Sequence, residues 1–307
     1  MATCSFCNRK AVYYRANEGK YYCERHFLAS VEKRVKRVIS EYKLIEEGDV
    51  IAVALSGGKD SSSLLYILHK IFKNNPKIRI FAITVHEGVK RYRSIGVKKA
   101  EELCKKLGIE HHVFYFEEEF GITITDVAKR MKENICTYCG VLRRYLLNKT
   151  SRELGATKLA TGHNLNDEAE TLLMNILKGD YLRLLRSGPK PMIMKHPKFV
   201  TRIKPLIKIP EEETKLYAKL RDLPILPKRC PYAKTNVLRG KAREFINSLE
   251  KESPGITFSF VENTWKLVER LKSNFKVKEK VRECKICGEP TSQDVCKACQ
   301  ILMQIKN

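Results

Sequence analysis

The sequence predicts an α/β protein built on a doubly wound parallel sheet, with a small cysteine-rich finger at each end of the chain. Three observations support this prediction: β-rich segments alternate with amphipathic ones, a glycine pair follows the first β-rich segment, and paired cysteines lie near both termini. Alternation at this spacing is typical of parallel sheets with helices on both faces. Such sheets bind ligands at the carboxyl ends of their strands, where a functional site is therefore expected.

The central part of the chain contains four β-rich segments and the helical segments that separate them. The predicted strands cover residues 50–56, 78–86, 111–117 and 157–163. The predicted helices have apolar residues at helical spacing and cover residues 62–72, 95–107, 140–154 and 166–177. Residues 178–208 break the alternation with nine Lys or Arg, one acid and four prolines, which predicts a basic loop. Further helices are predicted over residues 209–220, 240–249 and 258–271.

The charge of the chain predicts a polyanionic partner. Lys and Arg number 59 against 35 Asp and Glu, which gives a formal net charge of +24. Nucleic acid is the commonest polyanion that so positive a surface attracts, with a ribosomal or membrane surface as the alternative. The sequence has no apolar run near the ~20 residues of a membrane span and no signal-peptide core. We therefore expect a soluble, cytoplasmic protein with no membrane partner.

Cysteine pairs at the two termini predict two structural zinc sites. The first set joins Cys-x-x-Cys to Cys-x-x-His, and the second has two Cys-x-x-Cys pairs eight residues apart. Thiols stay reduced inside cells, so these cysteines favour metals over disulfides. Four protein ligands close a tetrahedral zinc site and leave no position for substrate. The predicted ligands are Cys4, Cys7, Cys23, His26, Cys284, Cys287, Cys296 and Cys299.

A glycine-containing loop, SGGKDS at residues 56–61, follows the first predicted strand and leads into a helix. Glycines let backbone N–H groups approach a phosphate, and a helix N-terminus adds partial positive charge. The spacing matches neither a Walker loop nor a dinucleotide-binding turn. The sequence therefore predicts a nucleotide phosphate site of another kind.

This loop is similar to the pyrophosphate loop of the PP-loop ATPases, which cleave ATP between its α and β phosphates and adenylate a substrate oxygen. CTYCGVLRR, GHN-x-x-DE, LLMN-x-L-x-GD and RCPYA occur together with it in the tRNA 2-thiouridine synthetases, and this resemblance spans nearly the whole chain. It implies a sheet of the PP-loop, adenine nucleotide alpha-hydrolase-like type, with ATP and Mg²⁺ as cofactors and tRNA as substrate. The implied reaction adenylates the C2 oxygen of a uridine and replaces it with sulfur.

Two branches of this family differ in the uridine that they modify. CTYCGVLRRYLLN and MNILKGDYLRLLR resemble the wobble-uridine branch, whereas CGEPTS fits the T-loop branch equally well. The wobble uridine is therefore the expected target, and the T-loop uridine is the alternative. The resemblance also implies a homodimer, and a sulfur donor that is either a ubiquitin-like protein with a C-terminal thiocarboxylate or inorganic sulfide.

The resemblance assigns roles to individual residues. Those implied to bind the nucleotide are Ala54, Ser56, Gly57, Gly58, Lys59, Asp60, Ser61, Gly162 and His163. Those implied to take part in the reaction are Lys59, Arg143, Asp167, Cys136, Cys139 and Cys230. Asp167 and Glu168 would bind Mg²⁺ or assist proton transfer, with a simple role at a helix start as the alternative.

Four cysteines lie outside the two fingers. Cys104 falls on the periodic face of a helix and is expected to be a buried small apolar residue. The resemblance implies that Cys136, Cys139 and Cys230 hold a four-iron four-sulfur (4Fe-4S) cluster with one iron left open. The alternative is a persulfide on one of these thiols, followed by a disulfide between Cys136 and Cys139. A third zinc site would lack a nearby fourth ligand.

The expected organisation has four parts. They are an N-terminal zinc finger at 1–30, a PP-loop catalytic domain with a linker helix and basic loop at 31–210, a helical tRNA-binding part with Cys230 at 211–278, and a C-terminal zinc ribbon at 279–307. Two positions depart from the family pattern, because Asn166 and His86 stand where acids are frequent. These departures concern adenine and metal contacts and leave the loop and the cysteines intact.

Three other functions compete with tRNA uridine thiolation. Lysidine formation needs no cluster, so the three extra cysteines count against it. Enzymes that thiolate cytidine usually lack flanking fingers. A non-catalytic zinc-ribbon protein that binds tRNA would need neither the intact loop nor the cysteine trio.

Overall fold

The computed structural model of the protein describes residues 2–131, 135–191, 196–227, 230–235, 237–274 and 281–306. The strands, in chain order, are β1 Tyr13–Arg15, β2 Lys20–Tyr22, β3 Val50–Ala54, β4 Arg79–His86, β5 His111–Tyr115, β6 Lys158–Ala160, β7 Thr201–Ile203, β8 Arg282–Glu283 and β9 Pro290–Thr291. The α-helices are α1 Glu24–Glu41, α2 Lys59–Phe72, α3 Tyr92–Leu107, α4 Phe116–Phe120, α5 Ile124–Arg130, α6 Ile135–Glu153, α7 Leu165–Leu177, α8 Tyr181–Leu185, α9 Glu211–Leu220, α10 Val237–Glu252, α11 Ile256–Asn274 and α12 Lys297–Lys306. Two 3-10 turns cover Ala16–Glu18 and Pro231–Thr235.

The central sheet has the strand order β5, β4, β3, β6, β7, and every neighbouring pair is parallel. The strands run outward from β3 in both directions, so the strand order reverses between β3 and β6. Ligands of doubly wound sheets bind at such a switch point, outside the carboxyl ends of the strands. The predicted doubly wound parallel sheet is confirmed, and the switch point lies directly below the SGGKDS loop.

β7 is a strand that the sequence does not predict. It pairs with β6 along its whole length, although residues 178–208 are expected to form a basic loop. The same stretch contains the short helix α8, and its residues 192–195 lie outside the described residues. Three residues are too few to show a period of two, and Arg202 interrupts their apolar character. The loop prediction is therefore wrong for this edge of the sheet.

The strands bury apolar side chains in two cores, one on each face of the sheet. Ile51 and Val53 pack in a first core with α1, α2 and α7, whereas Ala52 packs in a second with α5, α6 and α12. This alternation follows from the two-residue period of a strand. The N-terminal finger adds Tyr22 to the first core, and the C-terminal finger adds Cys284 and other residues to the second. Each finger is thus fixed to one of the two cores.

The first turn of α9 connects the N-terminal finger to the nucleotide loop. Glu213 is 1% exposed and accepts hydrogen bonds from Arg15 at 2.9 and 3.0 Å. The next residue, Thr214, donates to Asp60 at 2.6 Å. A buried carboxylate with two bonds from one guanidinium is a rigid, bidentate contact. The finger therefore helps to fix the helix that supports the loop.

The longest helices, α6 and α11, each have 19 residues and carry charged side chains along their length. Across the described ranges, no helix combines the length and the apolar character that crossing a bilayer requires.

Candidate nucleotide and cysteine site

The SGGKDS loop joins β3 to α2 in a conformation that depends on glycine. Gly57 has a φ of 74°, in the left-handed region, and a Cβ there would collide with the backbone of Gly96. Gly58 is the N-cap of α2 and has no side chain to cap the first N–H groups of the helix. Ser61 Oγ accepts from the Ser56 backbone at 3.1 Å and donates to the Gly58 carbonyl at 3.1 Å. The loop is therefore held open at a helix N-terminus, the arrangement that binds phosphate.

Asp60, the second residue of α2, is fixed by two neighbouring elements. Its Oδ1 accepts from Asn164 at 3.1 Å and from Thr214, and its Oδ2 pairs with Lys59 at 2.7 Å. The turn after β6 passes so close that a Cβ on Gly162 would lie 2.8 Å from the Ser61 backbone nitrogen. That turn therefore borders the phosphate loop directly.

Asp167 lies in the first turn of α7 and forms a reciprocal cap. Asn164 Oδ1 accepts from the Asp167 backbone at 3.0 Å, and Asp167 Oδ2 accepts from the Asn164 backbone at 3.2 Å. Burial, followed by the charge of Asp60, raises the pKa of Asp167 to about 6. Asn166, one of the two departures from the family pattern, accepts from the Glu211 backbone at 2.9 Å at the start of α9. Asp167 thus combines a capping role with a carboxyl group that changes charge near neutral pH.

The structure brings Cys136, Cys139 and Cys230 close together. Cys136 and Cys139 lie in the first two turns of α6, and Cys136 Sγ donates at 3.2 Å to the carbonyl of Tyr232, two residues after Cys230. Burial raises the pKa of the Cys139 thiol to about 11 and raises that of Cys230 as well, and the charge of Arg93 opposes both shifts. Cys104, as predicted, lies elsewhere and is buried in the first core.

Glu87 links the phosphate loop to these cysteines. It directly follows β4, is 1% exposed, and accepts hydrogen bonds from Arg93 at 3.0 Å and from Arg143 at 3.1 Å. Arg93 also donates to the Ser56 carbonyl at 3.1 Å, and Arg143 lies one helical turn after Cys139. A buried carboxylate is costly unless such charged donors surround it. The network therefore fixes two guanidinium groups between the loop and the cysteines.

A cleft of about 350 Å³ opens beside the loop, at the carboxyl ends of β3, β4 and β6. Its apolar lining consists of Ala54, Leu55, Ile83, Val85, Leu147 and Leu159. An apolar surface next to a phosphate loop suits a purine base. His163 lines the cleft. Desolvation by the surrounding protein and the charges of Lys204 and Arg202 lower its pKa well below the usual value.

The terminal cysteines and histidine form two compact groups. The ligand atoms of Cys4, Cys7, Cys23 and His26 lie within 4.8 Å of one another, as do those of Cys284, Cys287, Cys296 and Cys299. The sulfur atoms of Cys7 and Cys23 are 3.7 Å apart, and those of Cys287 and Cys296 are also 3.7 Å apart. Zn–S bonds of about 2.3 Å at tetrahedral angles would separate two thiolates by about 3.8 Å. Both groups therefore have the spacing of a closed metal site.

The trio of Cys136, Cys139 and Cys230 has a different spacing. Among the His, Cys, Asp and Glu side chains that the structure describes, only the two terminal groups gather three or more ligand atoms within 4.8 Å. The trio therefore lacks the compact arrangement of the two terminal groups. Three thiolates are the number that a 4Fe-4S cluster with one open iron requires, whereas a closed zinc site requires a fourth ligand.

Most of the residues implied by the resemblance meet at the cleft. Those in its lining are Ala54, Ser56, Gly58, Asp60, Ser61, Arg143, Gly162, His163 and Asp167. Lys59 instead turns toward α9, where it pairs with Glu211 at 3.0 Å, and Gly57 packs on Gly96. The other departure, His86, packs its ring against Tyr115 with centroids 5.1 Å apart.

Sequence reasoning missed the four other charged residues of the cleft lining: Glu87, Arg93, Arg144 and Arg202. Glu87 and Arg93 belong to HEGVKRYR, so the position of that segment after a predicted strand was the available signal. Arg202 lies in the stretch predicted as a loop. No local signal separates Arg144 from Arg143, because only the packing of α6 decides which side chains reach the cleft.

Comparison with known families matches two parts of the chain. A PP-loop domain matches residues 27–226, and the N-terminal LIM domain of the 2-thiouridine synthetase TtuA matches residues 3–28. The first match covers the central sheet and the phosphate loop. The second covers the terminal group of three cysteines and His26.

Individual relatives match over nearly the full length. The tRNA 2-thiolation protein NcsA of Haloferax volcanii is 38% identical, over 99% of each chain. The tRNA-5-methyluridine(54) 2-sulfurtransferase of Pyrococcus horikoshii is 36% identical, over 97% of this chain and 92% of the relative. The solved U34-tRNA thiolase NcsA of Methanococcus maripaludis, with its 4Fe-4S cluster, superposes with a TM-score of 0.85 at 34% identity, over 99% of this chain and 96% of that one. The chain belongs to the PP-loop family and, within it, to the tRNA 2-thiolation proteins and 2-thiouridine synthetases.

Proposed function

We propose that the protein uses ATP to replace the C2 oxygen of a tRNA uridine with sulfur, giving 2-thiouridine. The observation that carries this proposal is the chain of contacts from the Ser56 carbonyl through Arg93 and Glu87 to Arg143, one turn from Cys139. Activation by ATP and delivery of sulfur must reach the same carbon atom. A rigid connection between a phosphate loop and a group of cysteines supplies that proximity.

The reaction needs activation because the C2 oxygen is a poor leaving group. In the first step this oxygen attacks the α-phosphorus of ATP, and pyrophosphate leaves. In the second step a sulfur nucleophile adds to C2, and AMP leaves with the original oxygen. When bound, a 4Fe-4S cluster with an open iron would supply the sulfur. A persulfide on one of the three thiols is the competing source.

The loop residues would hold the pyrophosphate part of ATP. The unfilled N-cap at Gly58 and the hydroxyl groups of Ser56 and Ser61 face that position. Lys59 is held nearby by Asp60 and Glu211, from which it would turn to the phosphates. The nucleoside would lie on Ala54 and the apolar lining, next to Gly162 and His163, with Mg²⁺ as the counter-ion of the phosphates.

Arg143 and Asp167 would act near the reacting carbon. Arg143 is oriented by Glu87 and would stabilise the charge that develops on the departing AMP. Asp167, with a pKa of about 6, would exchange a proton or contact Mg²⁺ at neutral pH. Its fixed capping bonds keep the carboxyl group at the edge of the cleft.

The remaining parts of the chain would serve stability and substrate binding. Zinc would occupy both terminal groups and hold the fingers against the two cores. The domain boundaries at 30, 210 and 278 remain predictions, and residue 278 lies outside the described residues. We further propose a cytoplasmic homodimer that takes sulfur from a thiocarboxylated ubiquitin-like protein or from inorganic sulfide. The strong net positive charge supports tRNA as the macromolecular substrate.

We propose the wobble uridine as the target, supported by the full-length structural similarity to a U34-tRNA thiolase. Relatives that act on uridine 54 are similarly close in sequence and make that position the alternative. Mass spectrometry of tRNA nucleosides from cells with and without the gene tests both. In cells without the gene, we expect 2-thiouridine to be lost from anticodon fragments. Its loss from T-loop fragments would identify position 54 as the target instead. An unchanged thionucleoside pattern would contradict the proposed function.

A further inference from the structure

Two arginines that line the cleft differ from their neighbours in their ion pairing. Arg144 follows Arg143 on α6, and Arg202 is the middle residue of β7. Arg93 and Arg143 pair with Glu87, but within the part of the chain that the structure describes no ion pair joins Arg144 or Arg202 to a carboxylate. Among the described residues, the cleft thus carries two guanidinium charges without a paired carboxylate.

Arg144 is exposed at the cleft, and Arg202 is half-buried in it. The Arg144 guanidinium folds back along α6, with Nη1 3.1 Å from the position of a Cβ on Gly140, next to Cys139. Partial desolvation, then the charges of Arg202, Arg143 and Arg183, lower the pKa of Arg144, and burial lowers that of Arg202. Two guanidinium groups that line one cleft can bind the oxygens of an anion there.

The positive charge continues outward from the cleft. Arg183, the next cation beside Arg144, lies on α8 with 68% of its side chain exposed. It belongs to residues 178–208, the stretch with nine basic residues and one acid. Its ion pair at 3.2 Å is with that acid, Asp180, three residues earlier on the same segment. An exposed guanidinium group of the basic stretch is therefore close enough to Arg144 to act on its charge.

We propose that Arg144 and Arg202 bind a backbone phosphate of the RNA strand next to the target uridine. This inference rests on the proposed function, because it names the part of the tRNA that this side of the cleft would hold. Guanidinium groups match two phosphate oxygens at once. An enzyme that acts on a base takes that base out of its stack, which leaves the flanking phosphates at the mouth of the pocket.

The position of the pair favours RNA over ATP. The phosphates of ATP have their own cradle at the end of β3, whereas Arg144 and Arg202 lie on α6 and β7, outside that loop. Arg183, which acts on the Arg144 charge, is exposed on the basic stretch, and this suits a continuous RNA backbone more than a triphosphate. Binding of ATP by this pair is the competing outcome of the test.

The test measures the affinity of the full-length protein for unmodified tRNA at several salt concentrations, and its affinity for ATP separately. Arg144→Gln and Arg202→Gln should each bind tRNA more weakly, with a log–log salt slope smaller by about 0.7–0.9 for the lost phosphate contact. ATP affinity should fall less than tRNA affinity, because neither arginine belongs to the phosphate loop. Arg144→Lys keeps the charge and should restore the slope. Arg79→Gln is the control, because Arg79 is exposed at the amino end of β4 and pairs with Glu110 at 2.6 Å.

The inference is overturned if both variants keep the wild-type slope, or if they lose ATP affinity and keep tRNA affinity. A wild-type protein that binds no tRNA and forms no 2-thiouridine would instead show that the proposed function has failed. The two failures are distinguishable, because in the first the wild-type protein is active and only the predicted effect of the variants is missing.

Discussion

Glu87 accepts a hydrogen bond from Arg143 at 3.1 Å across 56 residues of sequence, and only 1% of Glu87 is exposed. The same carboxylate holds Arg93, which in turn holds the carbonyl of Ser56 in the phosphate loop. One buried negative charge therefore sets the geometry between the nucleotide loop and the cysteines. Its removal leaves two guanidinium groups without their counter-charge.

Glu87→Gln should lower both stability and thiolation. Breaking a buried ion pair by removing one partner typically costs about 3–5 kcal/mol, and an isosteric amide should bring the loss toward the lower end. Urea unfolding measures the loss, and an ATP-binding assay at permissive temperature shows whether the loop survives. Glu110→Gln removes an exposed partner of Arg79 and should cost at most about 1 kcal/mol. Equal stability of the two variants would contradict the role assigned to Glu87.

Gly58 and Gly57 are expected to differ sharply as sites of substitution. Gly58 has a φ of −87°, which any residue adopts, and a Cβ there would lie 3.3 Å from Ser56 Oγ, so a substitution requires a shift of that side chain but no change of backbone conformation. Gly58→Val should abolish pyrophosphate release from ATP without unfolding the protein, because the side chain fills the space at the N-terminus of α2. Gly57→Val should disturb folding itself, since Gly57 has positive φ and contacts Gly96. Release of labelled pyrophosphate by Gly58→Val at the wild-type rate would show that the loop has another role.

Asp167 should make stability depend on pH. Its pKa is about 6 in the folded protein, whereas an ordinary aspartate, as in the unfolded chain, has a pKa of 3.8. Folding therefore favours the protonated form. That stabilisation is fully present below pH 3.8 and is lost as pH rises through about 6. Asp167→Asn, which stays neutral, should therefore gain stability relative to wild type as pH rises over this range.

Urea unfolding at several pH values, without added magnesium, measures this difference. Asp126→Asn is the matched control, because Asp126 also caps a helix but its hydrogen bonds with Thr123 lower its pKa. Asp126 is already ionised over the same range, so its variant should differ from wild type by a constant amount. A constant difference for Asp167→Asn as well would contradict the raised pKa.

The sequence predicted the inner strands of the sheet because their local pattern is strong. β3 is a continuous apolar run, β4 is apolar from Ile80 to Ile83, and the glycines that follow β3 mark the loop. β7 could not be predicted, since three residues at a sheet edge become a strand only through pairing with β6. Strand pairing of this kind depends on tertiary context more than on local propensity.

The candidate site likewise contains residues that local sequence patterns identify and residues that they do not. The SGGKDS loop and the terminal metal-binding groups have fixed local spacings, so sequence alone identifies them. Cys230 joined Cys136 and Cys139 only through family resemblance, because about ninety residues separate it from them. Glu87 and Arg202 were missed because their roles depend on contacts between elements that are distant in the sequence. Glu87 orients arginines from other elements, and Arg202 faces the cleft only through the pairing of β7.

Elemental analysis should separate the two kinds of cysteine group. The terminal groups have the spacing of zinc sites, and the trio does not gather its ligand atoms within the same 4.8 Å. After anaerobic purification we expect about two zinc and up to four iron per chain, from the ligand counts of each site. Three zinc and no iron, even after anaerobic reconstitution, would contradict the cluster.

The central claim is that Cys136, Cys139 and Cys230 form one sulfur-transfer site next to the ATP loop. Its most direct test compares Cys230→Ala with Cys104→Ala. Iron content, ATP binding and 2-thiouridine formation are measured on the same preparations. Cys230→Ala should lose most of its iron and all thiolation but still bind ATP, because two thiolates hold a cubane poorly and the loop is intact. Cys104→Ala removes a buried side chain from the first core, so it should cost at most about 1–2 kcal/mol and keep its activity. Full thiolation by Cys230→Ala, or its loss in a folded Cys104→Ala, would contradict the account.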